Sequence, residues 1–217
     1  MSIRVLLVDD HTLMRDGLRK LLSDSPDVEV IGECADGRTA IELVRKLQPT
    51  VVVMDVGMPE LSGVEATRSI RAECGDVKVL GLSTHTDKRY VQYMLAAGAS
   101  GYVLKIAAYE ELLRAVRAVS AGRTYLSPEV AGAVVERSVH GATSPDVNAY
   151  SVLGPREREV LQLVAEGRTS AETARRMHIS IKTVETHRRN IVQKLGLHGT
   201  AELTKYAIRE GLTSLES

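Results

Sequence analysis

The chain has 217 residues, enough for one or two domains with buried cores, and 44% of them are hydrophobic against 26% charged. That balance excludes disorder over most of the length, and no apolar run approaches the ~18–20 residues a membrane span requires. Twenty-eight basic residues offset 28 acidic ones, so overall charge argues neither for nor against a polyanionic partner. The opening MSIRVLLVDDH meets two aspartates where a signal peptide would run on to a small-residue cleavage site, which argues against export. Cys34 and Cys74 are too few for a disulfide framework and match no zinc spacing, so they read as reduced thiols of a cytoplasmic protein. Phe and Trp are absent, leaving an aliphatic core and little means of stacking on single-stranded nucleic acid.

Short, β-branched-rich, predominantly apolar runs occur at Ile3–Val8, Val28–Gly32, Val51–Met54, Val77–Leu82 and Gly101–Leu104. Strands buried on both faces read this way. Amphipathic stretches follow each of them, such as Leu13/Leu18/Leu21/Leu22 and Leu112/Leu113/Val116/Val119. Five strand-then-helix repeats predict an α/β doubly wound, five-stranded parallel sheet over residues 1–125. Sites in such sheets form beyond the carboxyl ends of the strands. Those ends carry Asp9 and Asp10, then Asp55, then Ser83, Thr84 and His85, then Lys105. In the order 2-1-3-4-5, strands one and three are neighbours and the three carboxylates converge. Each raises the others' pKa unless a cation intervenes, and Mg²⁺ is the usual hard-oxygen solution. Phosphoryl transfer is mostly positioning and charge neutralisation, which gives Asp55 the role of nucleophile or acceptor and Lys105 and Ser83 the role of holding phosphoryl oxygens.

Residues 126–217 lack that strand pattern. Pro128–Ser138 reads as one short helix, and His140–Ser151 as a small, polar linker. Helical periodicity resumes at Pro155–Glu166, Ala171–Met177, Ile181–Leu195 and Ala201–Glu210, predicting a small all-α bundle. Between residues 168 and 194 seven basic residues meet only Glu172 and Glu185, a local excess of +5 within a neutral chain. The stretch Ala171–Met177, His178-Ile179-Ser180, Ile181–Leu195 is helix, short turn, helix. Val184, Ile191 and Leu195 mark the apolar face of its second helix, while Lys182, Glu185, Thr186, Arg189 and Gln193 lie opposite, where base edges could be read.

The segments LVDDH, VVMDVGMPELSG, VLGLSTH and GASGYVLK resemble the signatures of two-component receiver domains across residues 1–122. LGPREREVLQLVAEGRTSAETARRMHISIKTVETHRRNIVQKLGLHGTAELTKYAI resembles the LuxR-type helix-turn-helix domain, assigned to residues 152–217 after a linker at 123–151. Together they resemble the NarL/FixJ family of response regulators. The resemblance implies a phosphorylation-dependent, DNA-binding transcriptional regulator, with Asp55 as phosphoacceptor for a sensor histidine kinase. It implies Mg²⁺ held by Asp10, Asp55 and the Gly57 carbonyl, with Asp9 acting through water, Ser83 and Lys105 on the phosphoryl group, and Tyr102 as the switching aromatic. It implies DNA contacts by Lys182, Thr183, Glu185, Thr186, Arg188, Arg189 and Lys194. Partners would be promoter DNA, a second copy of the chain when phosphorylated or DNA-bound, and RNA polymerase, with no membrane. Enzymatic activity would be limited to slow autophosphorylation and autodephosphorylation at Asp55. Departures are Ile106 after Lys105, His85 two residues past Ser83, Gly154 at a helix cap and Thr173 at a position usually filled by Ile or Leu. A phosphatase of the haloacid dehalogenase type needs a second aspartate where Gly57 stands. A regulator that binds DNA without phosphorylation stands beside the leading reading.

Overall fold

The apolar runs form β1 (Ile3–Val8), β2 (Val28–Cys34), β3 (Val51–Asp55), β4 (Lys78–Ser83) and β5 (Gly101–Leu104) in a computed structural model that describes residues 2–84, 88–106, 109–132 and 149–213. Between and after them come α1 (Thr12–Ser23), α2 (Gly37–Leu47), α3 (Gly63–Glu73), α4 (Lys88–Ala96) and α5 (Tyr109–Ser120). All pairings are parallel in the order β2-β1-β3-β4-β5. Alternation within each strand serves both faces. Val5, Leu7, Val51, Val53, Leu80, Leu82 and Val103 pack with Leu18 and Leu22 of α1 and Leu112, Val116 and Val119 of α5. Their neighbours Leu6, Val8, Val52, Met54 and Val79 are equally buried, on the face that α2, α3 and α4 cover.

The sheet has six strands rather than the expected five. A two-residue β6 (Tyr125–Leu126) pairs in parallel with β5. It is held by the Tyr125 N–H donating to the Ser100 carbonyl (3.3 Å) and the Ser127 N–H to the Tyr102 carbonyl (3.0 Å). Two residues are too few to show a period in sequence. The mark they leave is Gly101, where a Cβ would lie 2.6 Å from the Tyr125 carbonyl oxygen. Residues 128–132 are helical. The rest of the short helix expected there, residues 140–148 of the expected linker, and His85 lie outside the described residues.

From residue 149 a separate, all-helical unit is built from α6 (Ala149–Val152), α7 (Pro155–Ala165), α8 (Ser170–Met177), α9 (Ile181–Leu195) and α10 (Thr200–Arg209). Helix α6 occupies the end of the stretch read as linker, and Ala149 is wholly buried in the unit's core. Val160, Leu161, Leu163, Val164, Met177, Val184, Ile191 and Leu203 make up most of that core. Side-chain and glycine caps delimit the helices. Thr169 accepts from the Glu172 N–H while Glu172 accepts from the Thr169 N–H, Ser180 caps α9, and Gly196 (φ 65°) ends it.

Candidate functional site

Two strand ends deliver the three carboxylates and a third delivers a lysine. Asp9 follows β1 and is fully buried, Asp10 beside it is 26% exposed, and Asp55 is the buried last residue of β3. Lys105, just past β5, puts its ammonium 2.7 Å from Asp55 Oδ2 and 2.8 Å from Asp9 Oδ2, with its side chain only 6% exposed. Backbone N–H groups hold the other oxygen of Asp55 and of Asp9. Asp55 Oδ1 accepts from the Gly57 N–H (3.2 Å) and Asp9 Oδ1 from the His11 N–H (2.9 Å). Gly63 lets the loop close over Asp55, because a Cβ there would lie 2.0 Å from the Asp55 carbonyl oxygen.

Burial pushes the Asp55 carboxyl above its ordinary value, and Asp9 adds to this against the opposing pull of Lys105 and the Gly57 N–H. Burial alone would lower the Lys105 ammonium, but Asp55 and Asp9 outweigh it and hold the group charged. Asp9, Asp10, His11 and Asp55 each offer a ligand atom, all within 4.8 Å of one another. Three carboxylates against one ammonium leave excess negative charge on hard oxygen donors, a set that suits Mg²⁺. His11 is a member the sequence reading passed over. Its Nδ1 lies 2.9 Å from Asp10 Oδ1, and its adjacency to the two aspartates was the available signal.

Ser83 ends β4, buried, opposite Leu104 of β5, and its carbonyl accepts from the Lys105 N–H (2.7 Å). Tyr102 is fully buried, against Gly81 of the neighbouring strand. Gly57 is exposed at the mouth of the site, as is Ile106 beside Lys105. No peptide bond among the described residues is cis.

In the helical unit the expected recognition residues lie on α9. Lys182, Thr183, Glu185, Thr186 and Arg189 are exposed, as is Gln193, while Val184 and Ile191 are buried beneath them. Some of these side chains already have partners. The Thr183 hydroxyl shares a hydrogen bond with Ser180 (2.8 Å), and the Thr186 hydroxyl donates to the Lys182 carbonyl (2.9 Å). Ser170 at the start of α8 donates to Glu185 and accepts from Arg188 (3.3 Å), joining the two helices. Lys194 is set apart. Its ammonium lies 2.6 Å from Glu157 Oε2, the carboxylate that also accepts from the Gly154 N–H at the start of α7.

A receiver sheet with an acidic, lysine-bridged pocket and a helix-turn-helix bundle define a two-component response regulator. The response regulator receiver domain family matches residues 5–117, and the luxR family of bacterial regulatory proteins matches residues 151–207. The chain belongs to this family of transcriptional regulators. The transcriptional regulatory protein LiaR of Bacillus subtilis is 40% identical over 212 residues, covering 98% of this chain and all of the relative. Among solved structures, the response regulator ChrA of a heme-sensing two-component system is 36% identical with a TM-score of 0.54, covering 97% of this chain and 98% of that one. RcsB of Salmonella enterica serovar Typhimurium, bound to the promoter rprA with the phosphomimetic BeF3−, is 26% identical with a TM-score of 0.62, covering 95% and 98%. RcsB is also known as two dimers on two parallel DNAs, at 27% identity and a TM-score of 0.58, covering 95% and 98%. No helix among the described residues is long and apolar enough to cross a membrane.

Proposed function

We propose that Asp55 takes a phosphoryl group from the phosphohistidine of a sensor kinase, and that this modification controls binding of the helical unit to promoter DNA. The observation that carries the reading is the Lys105 ammonium lodged between Asp55 and Asp9, 2.7 and 2.8 Å from their oxygens. An Asp55 oxygen attacks phosphorus, the P–N bond to the donor imidazole breaks, and the imidazole leaves with the bonding pair. Lys105 neutralises one phosphoryl oxygen and the Ser83 hydroxyl donates to another. Asp10, Asp55 and the Gly57 carbonyl would hold Mg²⁺ directly and Asp9 through water; bound there, the ion supplies charge neutralisation on the transferring group. Tyr102 follows Ser83 as the switching aromatic. Slow self-phosphorylation from small donors, and its reversal by water, are the only chemistry expected of Asp55 beyond acceptance from the kinase.

In this reading residues 1–122 form the receiver, 123–151 the linker with its short helix, and 152–217 the DNA-binding domain. Helix α9 enters the major groove of promoter DNA, with Lys182, Thr183, Glu185, Thr186, Arg188 and Arg189 reading bases and phosphates. Lys194 joins them as a phosphate contact if it leaves Glu157. The phosphorylated chain pairs with a second copy, in keeping with the RcsB dimers, and works in the cytoplasm with RNA polymerase as a further partner. Intact mass is measured after incubation with acetyl phosphate, with and without Mg²⁺, for the wild type and Asp55→Asn. A single phosphoryl adduct that needs both Mg²⁺ and Asp55 is expected. No adduct, or one that persists in Asp55→Asn, overturns the proposal.

A further inference from the structure

Helix α1 begins without a side-chain cap: His11 stands at its N-cap and makes no capping hydrogen bond. The turn from β1 into α1 carries Asp9 and Asp10, so something else must fix it. Three contacts on Asp9 come from its surroundings in strand and pocket. Its N–H donates to the Cys34 carbonyl on β2 (3.2 Å), its Oδ1 accepts from the His11 N–H, and its Oδ2 faces Lys105. The fourth comes from Arg15, one turn into α1, whose Nη1 donates to the Asp9 carbonyl at 2.6 Å.

That carbonyl belongs to the peptide joining Asp9 to Asp10, so holding it sets the direction in which the Asp10 side chain leaves the turn. The guanidinium is itself confined. Its side chain is only 15% exposed, and Nε lies 3.9 Å from Glu33 Oε2 on β2. Leu7 of β1 pairs with Glu33 in the sheet, so this carboxylate, which also lies 3.7 Å from Arg19 Nε, stands beside Arg15 opposite a residue two positions upstream of the aspartate whose carbonyl Arg15 holds.

We infer that Arg15 is a positioning residue for the cation site: it orients the Asp9–Asp10 peptide, and through it Asp10, for divalent metal. This rests on the reading of Asp9, Asp10 and Asp55 as that site. Electrostatics and orientation predict opposite signs here, which makes the inference testable. Removing a cation near an acidic pocket should by charge alone tighten binding of a second cation. Losing an orienting contact behind a ligand weakens metal binding, by about tenfold at the lower end of the range for such partners.

The test is calorimetric titration of the full chain with Mg²⁺ for wild type, Arg15→Gln and Arg15→Lys, with the Mg²⁺ dependence of acetyl phosphate adduct formation beside it. Arg15→Gln should weaken Mg²⁺ about tenfold and raise the half-saturating Mg²⁺ for adduct formation in step. The rate at saturating Mg²⁺ should stay near that of wild type, since Asp55 and Lys105 are untouched. Arg15→Lys, which keeps a donor of shorter reach, should fall between the two. Unchanged or tighter Mg²⁺ binding by Arg15→Gln overturns the inference while leaving the site itself standing. Absence of Mg²⁺ binding by the wild type removes the site, and the inference with it. Should Arg15→Gln fail to fold, the comparison rests on Arg15→Lys, for which wild-type affinity and half-saturation overturn the inference.

Discussion

The Asp9 oxygens face the Lys105 ammonium and the His11 N–H, whereas Thr173 is wholly buried in α8 with its Oγ1 unpaired. A buried hydroxyl without a partner forfeits its hydration and receives nothing in return, a cost of roughly 1–3 kcal/mol. Thr173→Val removes the hydroxyl while keeping the branched shape. It should stabilise the helical unit by about 1 kcal/mol, read from urea unfolding of the full chain followed by circular dichroism. Equal or lower stability would mean that the hydroxyl is satisfied by a bound water. Gly63 presents the reverse situation, a position where adding a methyl group is the perturbation. Its absent Cβ leaves room for the Asp55 carbonyl oxygen, 2.0 Å from where that atom would sit. Gly63→Ala should therefore shift the loop behind Asp55, costing about 1–3 kcal/mol as overpacking does, and slow adduct formation on Asp55. A wild-type adduct rate in a stably folded Gly63→Ala chain would show that the loop can give way without moving the acceptor.

Helix starts in the C-terminal unit share a device that makes them sensitive to acid. Burial pushes Glu157 up, but the Lys194 ammonium and the Gly154 N–H outweigh it and hold the carboxyl below the ordinary 4.5. Glu172 is lowered by the Thr169 N–H and hydroxyl, and Glu202 by the His198 and Gly199 N–H groups. A carboxylate whose folded pKa is depressed contributes stability above its unfolded value and loses it as pH falls through the folded value. The helical unit should thus be at full strength at neutral pH and lose melting temperature as pH drops below about 4.5. Glu157→Gln should start lower at pH 7 and show a shallower fall; a curve parallel to wild type would remove Glu157 from the cause. None of this clamp was legible in the chain, because Glu157 and Lys194 lie 37 residues apart with no period connecting them. The elements were legible where a period and a stop signal coincide. Helix α9 runs from Ile181 to Leu195 as expected because Ser180 opens it and Gly196 closes it. Asp9, Asp10, Asp55 and Lys105 stood out because each interrupts or follows an apolar strand with a charge. Arg15 did not, because on a helix that also carries the exposed Arg19 and Lys20 its contact with a carbonyl leaves no mark in composition. Helix α6 was hidden within a polar stretch, and β6 within two residues.

At the scale of the whole molecule, net charge is zero, so long-range attraction to DNA has to come from the local basic excess around α9 rather than from the chain as a whole. Binding to a promoter fragment should weaken linearly in log–log terms with salt, each phosphate contact adding roughly 0.9 to the slope. The seven residues expected on the DNA do not stand equal in this respect. Arg189 is exposed on the open face of α9, so Arg189→Ala should weaken binding and reduce the salt slope by about 1. Lys194 is tied to Glu157 at 2.6 Å. Exchanging that partner for a phosphate would give up the ion pair and one support of the α7 start, so little net affinity remains to be gained. Lys194→Ala should accordingly leave the salt slope near wild type and instead lower the thermal stability of the helical unit. Fluorescence anisotropy with a labelled promoter fragment across a salt series, performed on the phosphorylated chain, distinguishes the two. A slope loss for Lys194→Ala equal to that of Arg189→Ala would mean that Lys194 leaves Glu157 when DNA arrives. In that event the acid sensitivity of the helical unit should differ between free and DNA-bound protein, because Glu157 would then lose the Lys194 ammonium and keep the Gly154 N–H and the influence of His187.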